Sequence, residues 1–461
     1  MTMRYVSTRG GVEPLAFKAA VMSGLARDGG LLMPERVPSA VGKLERWRKL
    51  PYADLAFEVM RLFVDDICVF DLRSLVAKSY WVFRHPEVTP TVSVGPVHVL
   101  ELFHGPTLAF KDVALQFLGN LFEHVLGEAG GFMNIVAATS GDTGSAAIHG
   151  VRGRGRMRIF VMHPRGRVSP VQEMQMTTVT DANVHNLAVE GTFDDCQNIV
   201  KALFNDLAFR DECCLGAVNS INWARVLVQI VYYFYAAFRV MDKTGADKVS
   251  FAVPTGNFGD VFAGYMAYRM GLPIKRLVLA TNENDILARY FNTGEYRTGA
   301  VATTLSPSMD IQVASNFERY LYCLADGDTQ QVKHWMDSLK SDGAIITPGA
   351  CHDCWAAGRS DTAETLFTIR EFWERHNYLL DPHTAVGVAV ASRFLEESVP
   401  MICLATAHPA KFGEAILQAT GQDLARHPLI DKLRGLPTRL QTAPAETAAV
   451  AAIIRRTIAE G

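Results

Sequence analysis

The sequence predicts an α/β protein built on open parallel sheets, and three observations point there. From about residue 96 onward, short apolar runs alternate with turns and helix signals. That alternation is the pattern of parallel strands joined by crossover helices. Two of the turns share one design: an apolar run, a glycine-containing turn with hydroxyl or amide side chains, then a helix. They are TSGDTG at 139–144 and PTGNFGD at 254–260. Finally, 461 residues are long for one core, so two or three domains are expected.

In order along the chain, residues 7–11 read as a turn, and 13–26 as a helix stopped by Asp28-Gly29-Gly30. Helices are expected at 51–64 and 71–79. Strands are expected at 97–102, 134–138, 158–162, 184–189, 248–253, 276–280 and 401–405. Helices are expected at 145–149, 194–205 and 261–270, with an Ala-rich terminal helix over 443–461. The apolar run 221–240 is interrupted by Arg225, Gln229 and Arg239, so it reads as a buried helix rather than a membrane span.

The stretch HGPTLAFKDVALQFLG at 104–119 stands out. Thr107 is the expected N-cap of the helix that follows. From Lys111 the helical neighbours Ala114, Leu115, Leu118 and Phe122 are all apolar, which puts the lysine on the buried stripe. A buried ammonium is costly, so the free amine becomes accessible there as a nucleophile or a base. A lysine that snorkels past its apolar neighbours is the alternative from this stretch alone. The two glycine turns each present a helix N-terminus at the end of a strand. Free N–H groups and a positive dipole end suit a phosphate or a carboxylate.

Composition excludes several classes. Net charge is −3 and charged residues are 20%, which argues against a dedicated nucleic-acid or membrane-surface protein. The N-terminal MTMRYVSTRGG has no apolar core, so no secretory signal is expected. Eight scattered cysteines suit reduced thiols in a cytoplasm. A dinucleotide reading of the 254–260 turn lacks the full G-x-G-x-x-G. Arg152, Arg154, Arg156 and Arg158 form a basic run that reads as a solvated turn. Cys351-His352-Asp353-Cys354 has metal-like spacing without a second ligand pair, so no metal is expected. No nucleophile elbow supports a hydrolase triad.

HGPTLAFKD at 104–112, SGDTG at 140–144 and PTGNFGD at 254–260 together resemble the threonine synthases, which are fold type II pyridoxal-phosphate enzymes. STRG at 7–10, GLARDGGLLMPE at 24–35, NSINWAR at 219–225, SPSMDIQVASNFER at 306–319, DPHTAVG at 381–387 and ATAHPAKF at 405–412 extend the resemblance in the family's order. It covers roughly residues 5 to 420 and points to the longer bacterial and fungal subgroup. The resemblance implies two open parallel-sheet α/β domains of the tryptophan synthase beta-like type, with the cofactor between them. It implies an N-terminal helical region over 1–95, a smaller domain over 96–240 and a larger one over 241–461.

By the same resemblance, Lys111 would be the catalytic Schiff-base lysine, and Gly256, Asn257, Phe258, Gly259 and Asp260 the cup for the cofactor phosphate. Thr406 would hydrogen-bond the pyridine nitrogen. Ser140, Gly141, Asp142 and Thr143 would face the substrate carboxylate. Ser220, Asn222, Arg225, Asn316 and Arg319 would be candidates for the substrate phosphate, because arginine's planar fork contacts two oxygens. The implied activity is a carbon–oxygen lyase converting O-phospho-L-homoserine and water into L-threonine and phosphate. A phospholyase that makes no threonine, or a non-catalytic binding module, shares the fold. The expected state is a cytoplasmic monomer or homodimer without nucleic-acid or membrane partners.

Overall fold

The computed structural model describes residues 2–347 and 354–460. Cys351, His352 and Asp353 of the metal-like tetrad lie outside the described residues, while Cys354 is buried. Among the described residues, no group of three or more metal-binding side chains occurs.

The chain divides into two compact units. One comprises Met1–Gly105 with Ser220–Ala425, the other Pro106–Asn219 with Arg426–Gly461. Both are discontinuous, unlike the expected boundaries near 95 and 240. The reason lies in long-range packing that sequence proximity does not report.

In the first unit the sheet runs Trp355–Arg359, Ile274–Thr281, Val249–Pro254, Met401–Ala405, Val97–Glu101, Thr91–Val94 in spatial order. All pairings are parallel except the last. Strands Val249–Pro254 and Met401–Ala405 are buried along their whole length and, Ser250 apart, apolar, because both faces are covered. Helix Pro382–Ala391 is buried on every side over them. The N-terminal region is part of this unit rather than a separate body. Its rings pack on helix Trp223–Thr244: Tyr52 on Tyr235 at 5.3 Å, Trp47 on Phe234 at 5.6 Å, Phe63 on Trp223 at 5.9 Å. That helix is long and apolar enough to cross a membrane by composition, but 94% of its apolar window is buried inside the protein. The expected helix 13–26 shortens to Phe17–Ser23. Leu15 instead exchanges both backbone hydrogen bonds with Tyr5, of the strand Tyr5–Ser7 that pairs with Leu32–Pro34.

The second unit holds a parallel sheet ordered Gln441–Pro444, Val184–Glu190, Met157–Pro164, Met133–Ala138, Leu215–Gly216. One face packs Val136, Phe160, Leu187 and Val189 against Ile199 and Leu203 of helix Phe193–Asn205 and Val450 and Ile454 of the terminal helix Thr447–Glu460. The chain's end thus completes this sheet, where the sequence suggested only a helix. Helices Lys111–Ala129 and Asp142–Val151 approach closely. A Cβ at Gly119 would stand 2.0 Å from the Gly150 carbonyl oxygen, and one at Gly150 2.5 Å from that of Leu115. Only glycine permits that approach, and it brings the first residues of the two helices together.

Candidate active site

Lys111 opens its helix and is 7% exposed. Its Nζ lies 3.3 Å from Asp142 Oδ2 and 4.7 Å from the Phe110 ring centre. Asp142 Oδ1 accepts from Gln172 Nε2 at 2.8 Å, so the carboxylate is held at both oxygens. Thr107 is not the N-cap. Its N–H and hydroxyl both donate to the Asp112 carboxylate at 2.7 Å, and the cap position falls to Phe110. The carboxylate of Asp112 fastens the 107–112 turn more firmly than a capping hydroxyl would, since its bonds are charge-assisted. Gln172, from helix Pro170–Thr177, was invisible in the sequence. No local pattern marks a glutamine thirty residues from its partner.

The 139–144 turn is fastened by Thr139, whose Oγ1 accepts from the Gly141 and Gly144 N–H groups at 3.0 and 2.8 Å. Gly141 adopts φ +137° and, as the N-cap residue, has no side chain to cap helix Asp142–Val151; Thr139 meets the first-turn Gly144 N–H instead. The positive dipole end of that helix suits an anion. Ser140 is exposed at this turn, and Asp142 turns its carboxylate to Lys111 and Gln172.

In the first unit, Phe258 takes φ +64° immediately before helix Gly259–Arg269, which again has no side-chain cap. A left-handed phenylalanine is costly. Burial offsets that cost: the ring stacks on Phe291 at 5.8 Å and lies 5.5 Å from Phe317 and 5.9 Å from Trp355. Gly256 rests on the 306–309 turn, where a Cβ would come within 2.4 Å of the Ser308 carbonyl oxygen. The Ser308 N–H donates to His383 Nε2 at 3.3 Å, and His383 Nδ1 pairs with Asp381 Oδ1 at 2.9 Å. Asp260 directs Oδ1 to the buried hydroxyls of Tyr232 and Tyr233, at 2.6 and 2.9 Å. Thr406 is buried directly after strand Met401–Ala405.

Segment 219–225 and the start of helix Phe317–Leu324 meet this loop. Asn316 Nδ2 donates to the carbonyl oxygens of Ser220 and Asn257, both at 3.1 Å. The Ser220 and Ser315 hydroxyls are 2.9 Å apart, and Ser315 donates to Asn257 Oδ1 at 3.2 Å. Asn222 caps helix Trp223–Thr244 and donates to the Val21 carbonyl at 2.8 Å. Arg225 is buried, its Nη1 has no hydrogen-bond partner among the described residues, and burial pulls its pKa down to about 10.

Residues 4–80 match the family described as threonine synthase N terminus, 82–357 that described as pyridoxal-phosphate dependent enzyme, and 384–454 that described as threonine synthase, C-terminal. The chain is 48% identical over 454 residues to the threonine synthase of Schizosaccharomyces pombe, covering 89% of this chain and 88% of that one. The chain belongs to the threonine synthase family. It is also 48% identical to the threonine synthase of Pseudomonas aeruginosa, with 90% of each chain covered. Among solved structures it resembles the pyridoxal-phosphate-bound threonine synthase of Brucella melitensis, with TM-score 0.95, 46% identity and 99% of each chain covered. The yeast threonine synthase superposes with TM-score 0.94 at 43% identity, again over 99% of each chain.

Family membership makes this a fold type II enzyme that uses pyridoxal phosphate. The residues fit that group. A buried lysine stands beside the N-terminus of helix Asp142–Val151 in one unit. The other unit offers a helix N-terminus with no side-chain bond from its N-cap residue, behind a glycine turn that a Cβ would fill, and a buried guanidinium nitrogen without a hydrogen-bond partner among the described residues.

Proposed function

We propose that this family member converts O-phospho-L-homoserine and water into L-threonine and phosphate, as a carbon–oxygen lyase acting on a phosphate ester. The observation that carries the reading is the buried Lys111 Nζ, held 3.3 Å from Asp142 at the N-terminus of helix Asp142–Val151. In this reading Lys111 would hold pyridoxal phosphate at its aldehyde, the 256–260 turn would hold its phosphate, and Thr406 its ring nitrogen. Bound so, pyridoxal phosphate supplies an electron sink for negative charge developing at the substrate α carbon.

The rest falls to the chain's own side chains. Lys111 Nζ, once free, takes the proton from the α carbon as a positioned base. Asp142 Oδ2 orients that amine, and Gln172 keeps the carboxylate from swinging onto the substrate. Ser140, Gly141 and Thr143 receive the substrate carboxylate at the N-terminus of helix Asp142–Val151. Arg225 binds the substrate phosphate, since a buried guanidinium with an open N–H is costly until an anion meets it. Ser220, five residues earlier in the same segment, carries a hydroxyl suited to the same oxygens. Asn222 serves as a helix cap, Asn316 as a brace of the cup, and Asp260 as an anchor of the cup helix to Tyr232 and Tyr233. The seven described cysteines are free thiols, which suits a reducing cytoplasm, and a monomer or homodimer is the expected state.

Incubation with pyridoxal phosphate and O-phospho-L-homoserine, followed by NMR of the products, tests this. Threonine and phosphate in equal amounts, lost in Lys111→Ala, are expected. Phosphate with 2-oxobutyrate would assign a phospholyase instead, and no turnover by the folded enzyme would remove the substrate assignment.

A further inference from the structure

The guanidinium of Arg319 is fully buried, yet it is spent on the protein's own oxygens. Nη1 donates to Asn316 Oδ1. Nε and Nη2 donate to the Leu32 carbonyl at 3.3 and 3.1 Å, and Nη2 also to the Ile221 carbonyl at 2.6 Å. The neighbouring Glu318 does not pair with it. That carboxylate accepts instead from Arg9, at 3.0 and 2.8 Å, and from Thr8. Arg319 therefore ties three segments that are far apart in sequence: strand Leu32–Pro34, segment 219–225 and residue 316. Asn316 completes the chain of contacts, since its Nδ2 holds the Ser220 and Asn257 carbonyls. A Cβ at Gly259 would stand 3.1 Å from that same Nδ2, so the amide lies directly under the turn.

We infer that Arg319 is a positioning residue that sets the phosphate cup at 256–260 through Asn316, rather than a ligand of the substrate phosphate. One of the four N–H donations of the planar fork reaches Asn316 Oδ1, and the other three fix the guanidinium on the Leu32 and Ile221 carbonyls. Asn316 is thereby held in one rotamer, and that rotamer fixes where the Asn257 carbonyl points. The backbone amides that follow Asn257 are then aimed at the cofactor phosphate. A lysine has no such fork and holds at most part of this set. The inference rests on the reading of 256–260 as the phosphate cup.

The test compares pyridoxal phosphate with pyridoxal, which forms the same bond to lysine but carries no phosphate. Dissociation constants are read from absorbance for the unsubstituted protein, Arg319→Lys and Asn316→Ser, each checked for folding without cofactor by near-UV circular dichroism. Arg319→Lys is expected to weaken pyridoxal phosphate about tenfold, roughly 1.4 kcal/mol, and to change pyridoxal less than about twofold, about 0.4 kcal/mol on the same scale. Asn316→Ser, which leaves the Leu32 and Ile221 contacts in place, carries the same expectation and decides the matter if Arg319→Lys does not fold. Equal weakening of both compounds would make Arg319 a folding brace only and overturn the inference. Unchanged cofactor binding with a raised KM for the phosphate-bearing substrate would overturn it too, by making Arg319 a substrate ligand. If the unsubstituted protein bound both compounds equally, the cup reading would fall first, and the inference with it.

Discussion

Arg225→Met is expected to make the cofactor-free protein more stable while removing its capacity for an anion. Burial brings the guanidinium down from its ordinary range to about pKa 10. At ~1.36 kcal/mol per pKa unit, that depression amounts to ~3 kcal/mol of destabilisation. Because the folded pKa is depressed, the cost is present in full at every pH below about 10. It fades only as pH rises through 10 toward the unfolded value, so at pH 7 the protein carries all of it. Methionine keeps an unbranched apolar stem in the helix and removes the charge. Some packing is lost, which leaves a net gain of about 1–3 kcal/mol. Domains of 150–250 residues shift by about 2–4 °C per kcal/mol, and this larger unit sits at the low end, so a rise of about 2–6 °C is expected. The assay is scanning calorimetry of the cofactor-free protein at pH 7, with and without inorganic phosphate. Phosphate at a hundred times its dissociation constant adds about 2.7 kcal/mol to a protein that binds it, and it should do so only when Arg225 is present. A variant that melts below the unsubstituted protein, or equal phosphate stabilisation of both, would refute the reasoning.

Other substitutions probe other contacts. Gly256→Ala puts a methyl 2.4 Å from the Ser308 carbonyl oxygen, so the turn must shift; equilibrium dialysis should find pyridoxal phosphate bound at least about tenfold more weakly, about 1.4 kcal/mol. Asp142→Asn removes the carboxylate that lies 3.3 Å from the buried Lys111 Nζ, and urea melts of the cofactor-free protein should record a loss of about 3 kcal/mol. His185 is lowered to about pKa 4, first by burial and then by Arg439 and Arg158. The unfolded chain therefore takes up a proton near pH 6.5 that the fold refuses. Stability should fall as pH drops from about 6.5 to 4 and level off below. After allowance for the ring's partial exposure, the loss is about 1–2 kcal/mol. His185→Gln should flatten that slope in melts across the same range.

Much of the candidate site's local structure was legible because it is local. The stripe of Ala114, Leu115, Leu118 and Phe122 is a helical-period pattern, and it placed Lys111 on the buried face where it is found. The two strand–turn–helix units are contiguous, so each glycine turn could be read in place. What escaped was the use made of each polar side chain. Asn222 and Arg319 look like phosphate ligands in a motif, yet one caps a helix and the other holds backbone carbonyls. Asp142 looks like part of a carboxylate site, yet it faces a lysine.

Sequence alone determined the secondary structure of the central strands, the burial of Lys111 and membership of the threonine synthase family. These follow from periodicity and from motifs a few residues long, where neighbours in the chain are neighbours in space. Tertiary structure alone decided that the N-terminal region shares a unit with helix Trp223–Thr244, and that the tail beyond Arg426 completes the sheet of residues 106–219. It also decided which oxygen each buried donor meets. Those outcomes depend on contacts across tens to hundreds of residues. An arginine or an aspartate carries the same side chain into every environment, and only the packed protein supplies the partner that settles its role.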